Sequence, residues 1–128
     1  WLSESVFAIK QDVKLLDAHI LQKGALSMKA ALDKNNVGAD QVTYFLPHVS
    51  SHYFVKGLYN ALKEQNIEIP MERWFMNLKH VGNVGSASIY LMLEELMNSG
   101  NLKKGDKILL SVPESGRFSY SYAYLTVC

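Results

Sequence analysis

The 128-residue chain is 48% hydrophobic and 20% charged, which suits one domain with a real core and excludes a disordered or fibrous protein. Thirteen Lys and Arg against twelve Asp and Glu leave a net charge of +1, and no run of like charge exceeds two residues, so an electrostatic grip on nucleic acid is excluded. The only cysteine, Cys128, is the last residue, which removes any internal disulfide, CxxC redox pair or CxxC metal site, and no apolar run approaches the roughly 18 residues of a membrane helix.

These features, with no basic-then-apolar leader, give the expectation of a soluble, cytoplasmic protein. The chain opens at Trp1 and enters an amphipathic pattern at once, which reads as an excised piece. Val6, Ile9, Val13, Leu16 and Ile20 recur at spacings of three and four and predict a first helix, with Ser3 as its cap and Glu4 in its first turn. The pattern runs past Gly24 through Met28, Ala31 and Leu32 until Asn35, Asn36 and Gly38 supply turn chemistry.

Val42 to Leu46 is short, apolar and rich in β-branched and aromatic residues, predicting a buried strand that Pro47 stops. Val55, Leu58, Tyr59 and Leu62 mark one face of a second helix, with Ser50 or Ser51 as cap. Gly57 inside that helix costs about 1 kcal/mol against alanine and so implies close packing. Pro70 opens a short turn, and Trp74 to Leu78 read as a second strand. A third helix is expected from about Val84 to Met97, ended by Asn98, Ser99 and Gly100. Lys107 to Val112 and Ser119 to Val127 complete the pattern as a third and fourth strand, entered through Lys104, Gly105 and Asp106. In the last strand Tyr120, Tyr122 and Tyr124 share one face. The expected fold class is α/β: a leading helix, then βαβαββ in a mixed, mainly parallel sheet whose last two strands form a hairpin.

In an open parallel sheet, ligands sit beyond the carboxyl ends of the strands, where loops lead into helices. Two such junctions occur, Pro47 to Ser51 and His80 to Ser86. Each carries a side chain able to donate a hydrogen bond at a helix mouth, His48 and Asn83, and together they could stabilise a developing oxyanion. On position alone, His48 fits a packing histidine, and Asn83 a helix cap, better than either fits a reactive-site donor. Gly82 and Gly85 imply positive φ and tight helix packing, because the full GxGxxG spacing of a phosphate cradle is absent. Ser86 and Ser88 read as first-turn polar groups, and His19 and His52 as structural or solvated. Scattered histidines without partners at ligand spacing propose no metal. Glu94 and Glu95, adjacent on a helix, diverge and make no catalytic dyad. Cys128 has no base or helix start to activate it.

Three stretches carry a resemblance: FLPHVSSHYFVKGL, then GNVGSASIYLMLEE, then KKGDKILLSVPESGRFSYSYAYLTV. The chain resembles the carboxyl-terminal half of a β-ketoacyl-acyl-carrier-protein synthase III, a thiolase-like condensing enzyme, from the first helix to the last strand. Residues 1 to 128 then form one partial carboxyl-terminal domain of a thiolase-like fold, and the amino-terminal half with the nucleophilic cysteine is absent. The resemblance implies that His48 and Asn83 are the histidine and asparagine of a Cys-His-Asn set. A cysteine takes an acyl group as a thioester, malonyl-carrier loses carbon dioxide, and the enolate attacks that thioester. It implies no cofactor beyond coenzyme A or acyl-carrier-protein thioesters as substrates. The implied partners are acyl carrier protein, acyl-coenzyme A, the chain's own amino-terminal half and a second copy in a homodimer.

Two departures from the family pattern stand out. VSSHY follows the PH pair where a basic carrier-docking residue is usual, and Lys56 or Lys63 are the candidates to replace it. PESGRFS replaces a glycine-rich oxyanion turn, leaving Gly116 as the counterpart. The resemblance also implies a preceding strand that the chain lacks, hence exposed apolar surface, and an inactive fragment when isolated. Three readings stay open: a decarboxylating synthase of primary or specialised lipid or polyketide synthesis, a thiolase-like acyltransferase that does not decarboxylate, and a non-catalytic scaffold half.

Overall fold

A computed structural model describes residues 10–128. Helix α1 spans Val13–Lys34, and Asp12 caps it by accepting the Leu15 N–H at 2.9 Å. Strand β1 (Tyr44–Pro47) leads into α2 (Tyr53–Glu64), whose entry is held by the Ser51 hydroxyl accepting from the Tyr53 N–H at 3.2 Å. A single helical turn, α3 (Leu78–Val81), precedes α4 (Ser88–Asn98). Strands β2 (Lys107–Glu114) and β3 (Ser119–Thr126) close the chain as a hairpin.

The three strands lie in the order β1-β2-β3; β1 and β2 are parallel, and β2 and β3 antiparallel. The alternation of side chains along a strand then sorts the core into two layers. Phe45 and Leu109 face α1 and α2, where they meet Ala25, Met28, Leu62 and Trp74. Their neighbours Leu46 and Ile108 face the other way, onto Ile89, Met92 and Leu96 of α4. A helical layer therefore covers each face of the sheet, and β1 is apolar throughout because it is buried from both sides. The architecture is the expected α/β one, with a leading helix, alternating elements and a small mixed sheet.

Helix α1 lies against β3 through the tyrosine face. The Tyr120 hydroxyl donates to the Ile20 carbonyl at 2.8 Å and the Tyr122 hydroxyl to the Gly24 carbonyl at 3.0 Å. Between the two helices, a Cβ on Gly57 would come within 2.6 Å of Leu21 Cδ1, so this glycine does mark a close approach.

Two elements differ from expectation. Residues 10–12 are not helical, so α1 begins at Val13 under Asp12, not at Ser3; Ser3, Glu4, Val6 and Ile9 lie outside the described residues. The apolar stripe also starts late, since Val13 is 66% exposed and the buried face runs from Ile20 through Leu32. The second strand, Trp74 to Leu78, reduces to one bridge between Phe45 and Trp74, with the Phe75 N–H on the Phe45 carbonyl at 2.8 Å. The chain turns away there because Asn77 is buried and its side-chain amide donates to Glu95 of α4 at 2.7 Å. Trp74 keeps its packing role nonetheless: its ring meets Phe45 edge-on at 4.9 Å, and its indole N–H donates to the Ile69 carbonyl at 3.0 Å.

Phe45 is fully buried between these layers, so Phe45→Ala removes a large side chain with little room for collapse. Destabilisation of about 3 to 5 kcal/mol is expected, read as a lowered urea midpoint by circular dichroism of the intact protein. A loss below about 1 kcal/mol would contradict the role given to this contact.

Candidate functional site

The parallel pairing of β1 and β2 ends where the His48 N–H donates to the Ser111 carbonyl at 2.8 Å. Beyond that bond the chain leaves the sheet, and a cavity of about 360 Å³ opens at the carboxyl ends of both strands. His48, Ser50, Asn83, Ser111 and Ser115 contribute polar groups to its wall. Leu16, Ile20 and Met28 of α1, with Phe54 and Leu58 of α2, contribute apolar ones. Two loops about 35 residues apart in sequence thus reach one cavity, at the end of the sheet where such a site belongs.

His48 is half-buried, and its imidazole has no hydrogen-bond partner among the described residues. Burial lowers its pKa from the ordinary 6.5, since desolvation disfavours the charged ring. At neutral pH the ring is therefore uncharged and carries one N–H donor and one acceptor.

Asn83 is not the cap expected of it: Val84 stands before the turn at Gly85–Ala87 and Ala87 before α4. The Asn83 Oδ1 accepts the Gly85 N–H at 3.0 Å, an assignment the chemistry dictates because only an oxygen can face that donor. The side-chain NH₂ is left without a partner among the described residues, so Asn83 holds its turn with one end and offers donors with the other. The turn is fixed further by the Ser88 hydroxyl, which accepts the Val84 N–H at 3.1 Å. Gly82 and Gly85 adopt φ of 78° and 62°, the left-handed region that favours glycine. The tight packing expected of them does not occur, since a Cβ on either would meet nothing within 4 Å.

The other candidates fall differently. Gly116 does not line the cavity; its N–H donates to the Glu114 carboxylate at 2.6 Å, and the Arg117 N–H does so at 2.9 Å. Those backbone hydrogen bonds lower the Glu114 pKa, with Ser119 and the Arg117 charge adding to the effect. The turn residue that reaches the cavity is Ser115, whose hydroxyl accepts from the Gln11 side chain at 3.2 Å. Lys56 and Lys63 are both exposed on α2, outside the cavity. His80 sits exposed on α3 and Cys128 is exposed at the chain end, neither lining the cavity.

Sequence reasoning missed the wall supplied by α1 and by Tyr120 of β3. The available signals were a glycine inside the first helix and three alternating tyrosines. Each pattern points to a close contact without naming the other as its partner.

The protein-family model described as 3-oxoacyl-[acyl-carrier-protein (ACP)] synthase III C terminal matches residues 32–122. The β-ketoacyl-[acyl-carrier-protein] synthase III of Clostridium beijerinckii is 31% identical over 90 residues, covering 70% of this chain and 26% of that protein. The enzyme of the same name from Azobacteroides pseudotrichonymphae is 29% identical over 124 residues, covering 97% of this chain and 35% of that protein. Among solved structures, 3-oxoacyl-(acyl carrier protein) synthase III from Xanthomonas oryzae superposes with a TM-score of 0.75 at 26% identity, over 91% of this chain and 33% of that one. The chain thus spans roughly a quarter to a third of the length of these relatives. Among the described residues, no helix is long and apolar enough to cross a membrane.

The titration of His48 checks the electrostatics of the site. Its ring resonances should titrate with a midpoint below 6.5 in the folded protein. Because the unfolded chain takes up that proton at higher pH than the folded one, His48 contributes stability that is present above pH 6.5 and lost as pH falls through the lowered value. A midpoint at or above 6.5 by NMR would refute the burial argument.

Proposed function

The chain belongs to the 3-oxoacyl-[acyl-carrier-protein] synthase III family through its carboxyl-terminal domain, and from that premise we propose that it supplies the hydrogen-bond donors for decarboxylative condensation of an acyl thioester with malonyl-carrier. The observation that carries the reading is the meeting of His48 and Asn83 at one cavity from separate loops. Membership in a family of condensing enzymes gives the general chemistry, and the two side chains give the step assigned to this domain.

In the proposed step the malonyl thioester enters with its carbonyl oxygen toward His48 and Asn83. As the carbon–carbon bond to the carboxylate breaks, carbon dioxide leaves and its electron pair forms the enolate, placing negative charge on that oxygen. A neutral imidazole N–H and the free NH₂ of Asn83 suit this task, since both donate without first losing a proton. The enolate carbon then attacks an acyl thioester on a cysteine outside this chain and expels the thiolate. The acidic carrier protein would approach along α2, where Lys56 and Lys63 stand seven residues apart and so share a face. The working unit in this proposal is the complete two-half protein as a homodimer, and the isolated domain is inactive.

Replacing either donor by alanine tests the assignment in the intact protein. His48→Ala and Asn83→Ala are each expected to slow malonyl decarboxylation by about 100- to 1000-fold while the far-ultraviolet spectrum is unchanged. Unchanged decarboxylation in both variants would sink the proposal. Offering acetyl in place of malonyl donors separates it from acyl transfer without decarboxylation.

A further inference from the structure

We propose that Asn77 and Glu95 act as a positioning pair for Asn83, holding its turn against α4 so that the side-chain NH₂ stays at the wall of the cavity. The inference rests on the condensing-enzyme reading for the task of Asn83. What holds Asn83 in place rests on geometry.

The chain leaves the sheet at Phe75, whose N–H bonds to the Phe45 carbonyl, and returns to a long regular element only at α4. Between these points lies the turn that carries Asn83, and residues 79–87 are all exposed. Burial of apolar side chains therefore does not fix this stretch. The buried residues that flank it are polar instead, Asn77 at 4% exposure and Ser88 at 6%. Each is tied to the turn. The Ser88 hydroxyl accepts the Val84 N–H at 3.1 Å on one side of it. On the other side the Asn77 carbonyl accepts the His80 and Val81 N–H groups at 2.9 and 3.0 Å, which starts the single turn of α3. That turn ends at Gly82, next to Asn83.

A buried side-chain amide costs stability unless it is paired. The partner of Asn77 is Glu95: Nδ2 donates to Oε2 at 2.7 Å, and because a carboxylate only accepts, the orientation of the amide is fixed. Of the adjacent glutamates on α4, one thereby gains a task. Ser88 and Glu95 stand seven residues apart, so they share a face of the helix at about 10 Å along its axis. One helix thus holds both ends of the turn. The turn has little of its own to resist displacement, since Gly82 and Gly85 are left-handed and a Cβ on either would meet nothing within 4 Å. A donor that serves a transition state is sensitive to such movement, and a misplacement of about 1 Å costs on the order of 100-fold in rate.

Glycine-selective isotope labelling of the intact protein lets NMR follow the Gly85 amide, whose hydrogen bond to the Asn83 oxygen makes its solvent exchange a report on that side chain. In Glu95→Ala this exchange should quicken by about tenfold or more, and Glu95→Gln, whose amide oxygen can accept the same bond, should keep the wild-type rate. Glu95→Met, of similar length but without the acceptor, replaces the alanine variant if that one does not fold. Decarboxylation of the malonyl thioester should fall by about 10- to 100-fold in kcat with little change in KM in Glu95→Ala, and recover in Glu95→Gln. Added to Asn83→Ala, the Glu95→Ala change should cost nothing further, since Glu95 acts through Asn83. Unchanged Gly85 exchange in Glu95→Ala overturns the proposal, as do losses that multiply in the double variant. If Asn83→Ala leaves decarboxylation unchanged while Gly85 exchange responds as expected, the proposed reaction is overturned and the positioning pair stands.

Discussion

The parallel pairing of β1 with β2 is the constraint on which the rest of the structure depends. It joins Tyr44 through Pro47 to Ile108 through Ser111, segments separated by α2, α3 and α4, and such a pairing exists only if the intervening chain crosses over the sheet. Because the strands run the same way, their carboxyl ends lie on one side. His48 and Ser111 therefore meet at one edge, linked by the last hydrogen bond of the ladder. The same register turns Phe45 and Leu109 toward α1 and α2, and Leu46 and Ile108 toward α4. Slipping it by one residue would invert both layers and move His48 away from the cavity.

Within that frame, local hydrogen bonds decide which polar atoms remain for a ligand. Asn83 turns its oxygen to the Gly85 amide and leaves its NH₂ without a partner among the described residues. Glu114 does the reverse to its own turn, drawing the Gly116 and Arg117 amides onto its carboxylate, so that the backbone donors a glycine-rich turn would offer are already occupied. His48 is tuned by burial, which keeps its ring uncharged, and the ring has no hydrogen-bond partner among the described residues. None of these assignments depends on residue identity alone; those of Asn83 and Glu114 follow from where a neighbouring N–H points, and that of His48 from burial.

The cavity stays open because its roof is held at a fixed height. Tyr120 and Tyr122 both carry their hydroxyls to carbonyls of α1, using the second lone pair that a helical carbonyl retains after its own helix bond. Aromatic rings therefore act as struts between helix and sheet. Where α1 instead meets α2, the absent side chain of Gly57 lets Leu21 close the gap.

The sequence by itself determined the helical and strand segments whose apolar periods were strong, and the two junctions bearing His48 and Asn83, because period and turn chemistry act over a few residues. It also carried the family resemblance, which the family model matches over residues 32–122. It misread Trp74 to Leu78, whose β-like composition serves packing, since a buried Asn77 held by Glu95 ends the extended run after a single bridge. Helix α1 begins at Val13, where the Asp12 side chain reaches the Leu15 amide, a contact that the periodic stripe does not encode. Only the tertiary structure decided that the two junctions share a cavity, that Gly116 does not line it, and that Gly24 and Tyr120 do. Those outcomes depend on strand register and helix approach between residues as far as about 100 positions apart, and no local pattern in the chain encodes such distances.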